Sequence, residues 1–190
     1  MLSIAPATIG PNAIIQIVNV VRDVKGDNAV RLLLTGAGLG VYADSPPTEM
    51  VPEQEVTALH HAVFEAWPDD ASPILKEAGR RTADYVMAYR IPAFARGALK
   101  VLPRALSAPL LLSAIERNSW TFAGSGAFAW QASPAVLTIT HNPVMTPGCP
   151  WHCGVFERLF EVLVGRGYRA VYAHRPSGEG GLCEFTLNRQ

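Results

Sequence analysis

The sequence predicts an α+β protein in which N-terminal helices are followed by a mostly antiparallel sheet with a crossing helix. Apolar residues recur at helical spacing from Asn12 to Arg117. After Arg117 the period falls to two. A lone helical pattern then opens at Pro150, between two pairs of alternating segments, which separates helices from strands along the chain.

Taken in order, Asn12 to Val21 and Asp27 to Leu34 read as helices parted by Gly26, and Asp44-Ser45-Pro46-Pro47 breaks the pattern. From Gln54, Val56, Leu59, Val63 and Trp67 share one helical face. Ser72-Pro73 is a start signal, an N-cap and then a first-turn proline, for a helix that Ile91-Pro92 stops. Further helices surround Phe94 to Leu99 and Leu106 to Arg117. Trp120 to Trp130 and Ala135 to His141 read as strands joined by a turn at Gln131-Ala132-Ser133-Pro134. Pro150 opens a helix carrying His152, Phe156, Leu159 and Leu163 on one face, closed near Gly165 and Gly167. Strands at Tyr168 to His174 and Leu182 to Leu187 finish the chain, around the loop from Pro176 to Gly181.

A length of 190 residues suits one domain with one sizeable core, residues 1–190, in which residues 1–50 form an N-terminal helical extension. Hydrophobic residues at 49% and charged residues at 17% argue against disorder. A formal net charge of +0 argues against nucleic acid as a partner. Three cysteines and no basic leader fit a cytoplasmic protein without a disulfide framework. Ala105 to Ile115 is the most apolar stretch and too short to span a bilayer, which leaves peripheral membrane contact open.

The charge is unevenly spread. Asp44 to Asp70 holds seven carboxylates and no Lys or Arg, whereas Lys76 to Arg117 holds eight basic residues against three acidic ones. Two readings follow: solvated helical faces that attract one another, or a basic rim that meets a ligand carboxylate.

In the Trp120–Trp130 segment, the even positions read Trp120, Phe122, Gly124, Gly126, Phe128 and Trp130. On an unbroken strand all six share a face, and aromatics flanking a glycine gap make a flat-floored depression for a planar macrocycle. The competing reading is a packed sheet face with the glycines in a bulge or turn. Cys149, His152, Cys153 and Cys183 form a second group. Cys149 and Cys183 with one of His152, Cys153 or His174 could converge on zinc, which takes four N or S ligands; the alternative is buried free thiols. Among the histidines, His152 is the candidate axial or hydrogen-bonding contact to a macrocycle. Gly36-Ala37-Gly38-Leu39-Gly40 is no dinucleotide fingerprint, since Val41 stands where the last glycine belongs and prolines follow. Three cysteines are too few for an ordinary iron–sulfur cluster.

Two segments, Ala78-Gly79-Arg80-Arg81-Thr82-Ala83-Asp84-Tyr85 with Arg90-Ile91-Pro92, and Trp120 to Gly126, resemble the bacteriochlorophyll 4-vinyl reductase family. Asn142-Pro143 and the run from Cys149 to Phe160 continue the resemblance, which covers the chain from about Val56 onward. It implies a ligand-binding region over residues 119–190, like the 4-vinyl reductase domain shared with phenol-sensing regulators and related in fold to vesicle-tethering subunits. It implies a divinyl Mg-porphyrin or chlorophyllide-type ligand, neighbouring enzymes of the magnesium branch as partners, and a place in the cytoplasm or at the edge of the photosynthetic membrane. A homodimer is among the partner expectations. In the related sensors zinc sits on a Cys, a Glu and two further Cys; the first maps to Cys149 and the last to Cys183, while the middle two fall near Tyr172 and Arg175 and leave the set incomplete.

Three functions follow from the resemblance and the residues together. The first is a tetrapyrrole carrier or accessory in vinyl reduction, since no redox cofactor motif is found. The second is the 4-vinyl reductase itself, an oxidoreductase in which NADPH or a partner supplies the reductant. The third is a ligand-responsive regulator of the phenol-sensor kind. In the carrier reading Trp120, Phe122 and Phe128 pack the macrocycle over Gly124 and Gly126, His152 touches it, and Arg81 or Arg90 pairs with its propionate.

Overall fold

The computed structural model describes residues 7–175 and 181–190. Thr8–Ile9 (β1) pairs antiparallel with Val51–Pro52 (β2), and between them lie Asn12–Lys25 (α1), Asp27–Gly36 (α2) and a 3-10 turn at Gly40–Ala43. Glu53–Ala66 (α3), Ala71–Tyr89 (α4), Ala93–Val101 (α5) and Arg104–Arg117 (α6) follow, then the single turn Trp120–Ala123 (α7). Ala127–Ala132 (β3), Ala135–Thr140 (β4), Pro150–Leu163 (α8), Tyr168–Arg175 (β5) and Leu182–Arg189 (β6) complete the order. The fold is α+β as expected, with eight α-helices and two antiparallel sheets among the described residues. None of those helices is long and apolar enough to cross a membrane.

The larger sheet has strand order β3-β4-β6-β5, antiparallel throughout. Alternation turns Leu137 and Ile139 of β4, with Cys183, Phe185 and Leu187 of β6, to one buried face. The other face, with Thr138 and Thr186, is partly open to solvent, as antiparallel sheets allow. Helix α8 covers the buried face and is itself buried along most of its length. Its Trp151, Phe156 and Phe160 sit at the centre of the core.

Helices α4 and α8 make the tightest helix pair, because each carries a glycine where the other's backbone passes. A Cβ on Gly79 would fall onto the Trp151 carbonyl, and one on Gly154 onto the Lys76 carbonyl. Ion pairs extend the seam: Lys76 to the buried Glu157 at 2.9 Å, Arg80 to Glu161 at 2.9 Å, and Arg158 to Asp84 at 2.8 Å.

Within the described part of the N-terminal 50 residues, α1 packs on α4, and Ile14, Ile17 and Val21 join the common core. Two expectations need correction. The acidic and basic segments do not pair with each other. Asp44 and Asp70 bind Arg31 and Lys25 of the N-terminal helices, while Lys76 and Arg80 bind α8. Finally, Trp120 to Trp130 is not one strand. Trp120–Ala123 is helical, Gly124 turns the chain at φ +56, and the strand begins at Ala127. Pro176 to Gly180, most of the expected last loop, lies outside the described residues.

Candidate functional site

The broken stripe scatters the six residues expected on one face. Trp120 is exposed, Phe122 is buried, and Trp130 donates from Nε1 to Glu116 at 2.8 Å. The glycine gap is filled. Glu53, a buried carboxylate at the start of α3, accepts from the Ser125 N–H at 2.7 Å and the Ser125 hydroxyl at 2.9 Å. A Cβ on Gly124 would strike that carboxylate, and one on Gly126 would press on the Ala123 and Thr140 carbonyls at 3.0 Å. The two glycines therefore serve a turn that Glu53 clamps.

His152 belongs to an aromatic core with Phe122, Phe128, Phe156 and Phe185, whose rings meet at centroid distances of 5.2–6.4 Å. Its Nε2 lies 3.2 Å from the Phe122 carbonyl and its Nδ1 has no partner among the described residues. Nearby His60 is equally buried, stands edge-on to Trp151, and has no partner at either nitrogen. Burial pushes His152 down to about 4 and His60 to about 3, the latter helped by the neighbouring imidazoles of His152 and His61. At neutral pH both rings are therefore uncharged.

The structure brings together two of the cysteines. Cys149 caps α8 in a left-handed conformation, φ 42, which is uncommon for a side-chain-bearing residue. Its sulfur lies 4.0 Å from that of Cys183, across 34 positions of sequence. The Asn142 amide donates towards both sulfurs, at 3.5 and 3.6 Å, and the Tyr172 hydroxyl is 3.7 Å from Cys183. Hydrogen bonding from Cys149, then from Asn142, Tyr172 and His174, favours the thiolate on Cys183 against its burial, while Cys149 is pushed up and stays protonated. Cys153 and His152 do not join them: Cys153 points to the Gly148 carbonyl, and His152 to Phe122. No group of three or more His, Cys, Asp or Glu suited to a metal occurs among the described residues. The two thiols thus meet with an amide and a phenol, and His174 stands opposite Cys183 on the neighbouring strand.

Of the arginines expected at a propionate, Arg81 is engaged by Asp23 at 2.6 Å and Glu77 at 3.0 Å. Arg90 sits exposed at the end of α4 with no ion pair among the described residues.

A groove opens elsewhere on the surface. An open groove of about 440 Å³ runs between α4, α5 and α8, lined by Met87, Ala88, Ala93, Gly97 and Val162, with Arg96 and Lys100 at its edge. Asp84 also lines it but is held by Arg158. Arg96 donates to the Met87 carbonyl and so ties α5 to α4. Helix α5 buries none of its residues. The basic segment signalled this region in the sequence, but the small residues that make the groove, Ala88, Ala93 and Gly97, carry no local signature.

The fold is that of H-NOX domains. An Fe(II) unliganded H-NOX protein from K. algicida aligns over 96% of this chain and 97% of its own, with a TM-score of 0.62 at 14% identity. An H-NOX protein solved to probe the function of heme distortion aligns over the same shares with a TM-score of 0.58 at 12% identity. No family model matches the chain. Sequence relatives are more informative. The bacteriochlorophyll synthase 23 kDa chain of Cereibacter sphaeroides is 42% identical over 163 residues, 82% of this chain and 78% of the relative. That of Rhodobacter capsulatus is 37% identical over 190 residues, 95% and 86% of the two chains. This chain belongs to the bacteriochlorophyll synthase 23 kDa chain family, and so to bacteriochlorophyll biosynthesis.

Proposed function

We infer that the protein binds a Mg-tetrapyrrole intermediate of bacteriochlorophyll synthesis, a divinyl Mg-porphyrin or chlorophyllide, and carries it for the enzymes that act on it. The observation behind this reading is the groove between α4, α5 and α8. Its volume of about 440 Å³ lies in the range of small-molecule sites, roughly 300–1,000 Å³. Met87, Ala88, Ala93, Gly97 and Val162 give it an apolar, small-residue lining that suits a flat ring, while Arg96 and Lys100 offer a carboxylate two cations, with Asp84 held by Arg158. The fold supports the reading as well, since H-NOX proteins of this architecture have been studied for heme and porphyrin distortion.

Titration of the protein with a divinyl Mg-porphyrin, followed by its absorbance spectrum, tests the reading. Ala88→Trp fills the groove and Lys100→Glu reverses one cation, so each is expected to weaken binding at least tenfold. The fully esterified pigment, lacking the carboxylate, should lose the effect of Lys100→Glu. No spectral change with the unaltered protein, or equal binding by both variants, refutes it. Repeating the titration with NADPH and analysing the pigment for ethyl product separates a carrier from a vinyl reductase.

A further inference from the structure

The segment from Tyr85 to Ile115 contains Arg90, Arg96, Lys100 and Arg104 and no carboxylate, in a chain whose formal charge is +0. It forms the end of α4, all of α5 and most of α6. On α5, Phe94, Ala98 and Val101 fall on one helical face at spacings of four and three, and all three are exposed, Phe94 by 80% and Val101 by 83%. The half-buried residues of α5, Ala95, Arg96 and Leu99, lie on other faces. On α6 the same arrangement recurs: Leu106 and Leu110 are four apart and exposed, whereas Leu111, Leu112 and Ile115 point into the core. Tyr89 and Trp120 add exposed aromatics at the neighbouring helix ends.

We propose that the α5–α6 face is a docking surface for an anionic lipid bilayer. Isolated exposed apolar residues are ordinary, but here they recur at helical spacing on two consecutive helices that touch each other. The charge pattern selects the occupant. Four cations without a carboxylate over this segment attract a surface of uniform negative charge, and Arg90, Lys100 and Arg104 are exposed. Phe94, Val101, Leu106 and Leu110 then enter the headgroup–acyl boundary while the basic side chains reach phosphates. Such docking sets the groove behind α5 beside the bilayer, where a poorly soluble ligand would be collected or released.

Flotation of the whole protein with vesicles tests this independently of any pigment. Vesicles of phosphatidylcholine with about one third phosphatidylglycerol should carry the protein up the gradient. Pure phosphatidylcholine vesicles should carry at least tenfold less, and high salt should release the bound fraction. The double variant Phe94→Asp, Val101→Asp alters residues that are exposed and do not line the groove, so its melting temperature and its pigment titration in vesicle-free buffer should match the unaltered protein. Its partitioning should fall at least tenfold. Equal binding to neutral and anionic vesicles, an unaffected double variant, or no flotation at all overturns the proposal. A dimer that the double variant converts to monomer, with neither protein floating, overturns it too and assigns the face to a second copy. Loss of pigment binding in Ala88→Trp with flotation intact would leave this proposal standing on its own.

Discussion

Replacing Gly79 by alanine gives the sharpest test of how the helices are assembled. In an isolated helix this change stabilises by about 1 kcal/mol, because alanine has less backbone freedom to lose. In this structure the sign should reverse. The new Cβ falls onto the Trp151 carbonyl oxygen, with the carbonyl carbon and the Val155 nitrogen each at 3.0 Å. All of these are backbone atoms of α8 and none can swing aside as a side chain would. Ordinary contacts of about 3.5 Å or more then require α4 and α8 to part, which loosens the packing of Trp151 and Phe156 and stretches the Lys76–Glu157 bond. Overpacking of this kind costs about 1–3 kcal/mol or more, against a propensity gain near 1, so a net loss of about 2 kcal/mol is expected. For a chain of this size that lowers the melting temperature by roughly 4–8 °C. Gly154→Ala should behave alike, since its Cβ meets the Lys76 carbonyl. The double variant should lose less than the sum, because the separation forced by one methyl relieves the other. Gly97→Ala in α5, which has nothing within 4 Å, is the opposite-signed control and should be neutral or slightly stabilising. Thermal and urea melts followed by circular dichroism read all four. A Gly79→Ala protein as stable as the original, or additive losses in the double variant, would show that α4 and α8 do not meet at these glycines.

Acid should unfold the protein through its buried imidazoles. His60 and His152 are lowered to about 3 and 4 by burial, so the folded state excludes protons that the unfolded chain binds near pH 6.5. Stability is complete above pH 6.5 and declines as pH falls towards the folded values, by about 2 kcal/mol for each imidazole between pH 7 and pH 5. His60→Phe should remove about half of that slope in urea melts at the two pH values; an unchanged slope contradicts the assignment. Glu53→Gln should cost about 1–3 kcal/mol, since it weakens the clamp on Ser125 that closes the glycine turn; a melting curve matching the original would mean that the turn holds without it. Arg81→Met should leave the pigment titration unaltered, because Asp23 and Glu77 occupy its guanidinium, and should change stability by under about 1 kcal/mol. A tenfold loss of pigment affinity in that variant would return the carboxylate contact to Arg81.

Local pattern determined the elements whose periodicity reports one buried face. The helix from Pro150, strand β4 and the final strand pair lie close to where alternation and helical spacing put them. The charge asymmetry of the segment from Lys76 to Arg117 was likewise legible, and it marks both the groove edge and the exposed face of α5. The stripe from Trp120 to Trp130 was not. Its period of two is equally compatible with a helical turn, a glycine reversal and a short strand. What decides between them is Glu53, more than seventy positions earlier, which binds the Ser125 amide and hydroxyl. In the same way, Cys149 and Cys183 approach within 4.0 Å because α8 lies across β6, while Cys153, four residues from Cys149, turns elsewhere. The groove needs Ala88, Ala93, Gly97 and Val162 from three helices, each an unremarkable small or apolar residue alone. Most of the secondary structure, the buried faces and the charge distribution are legible in the chain itself, because they are properties of neighbours along it. The positions of the thiols, the clamp and the cavity were left to the tertiary structure, since they depend on contacts between residues far apart in sequence.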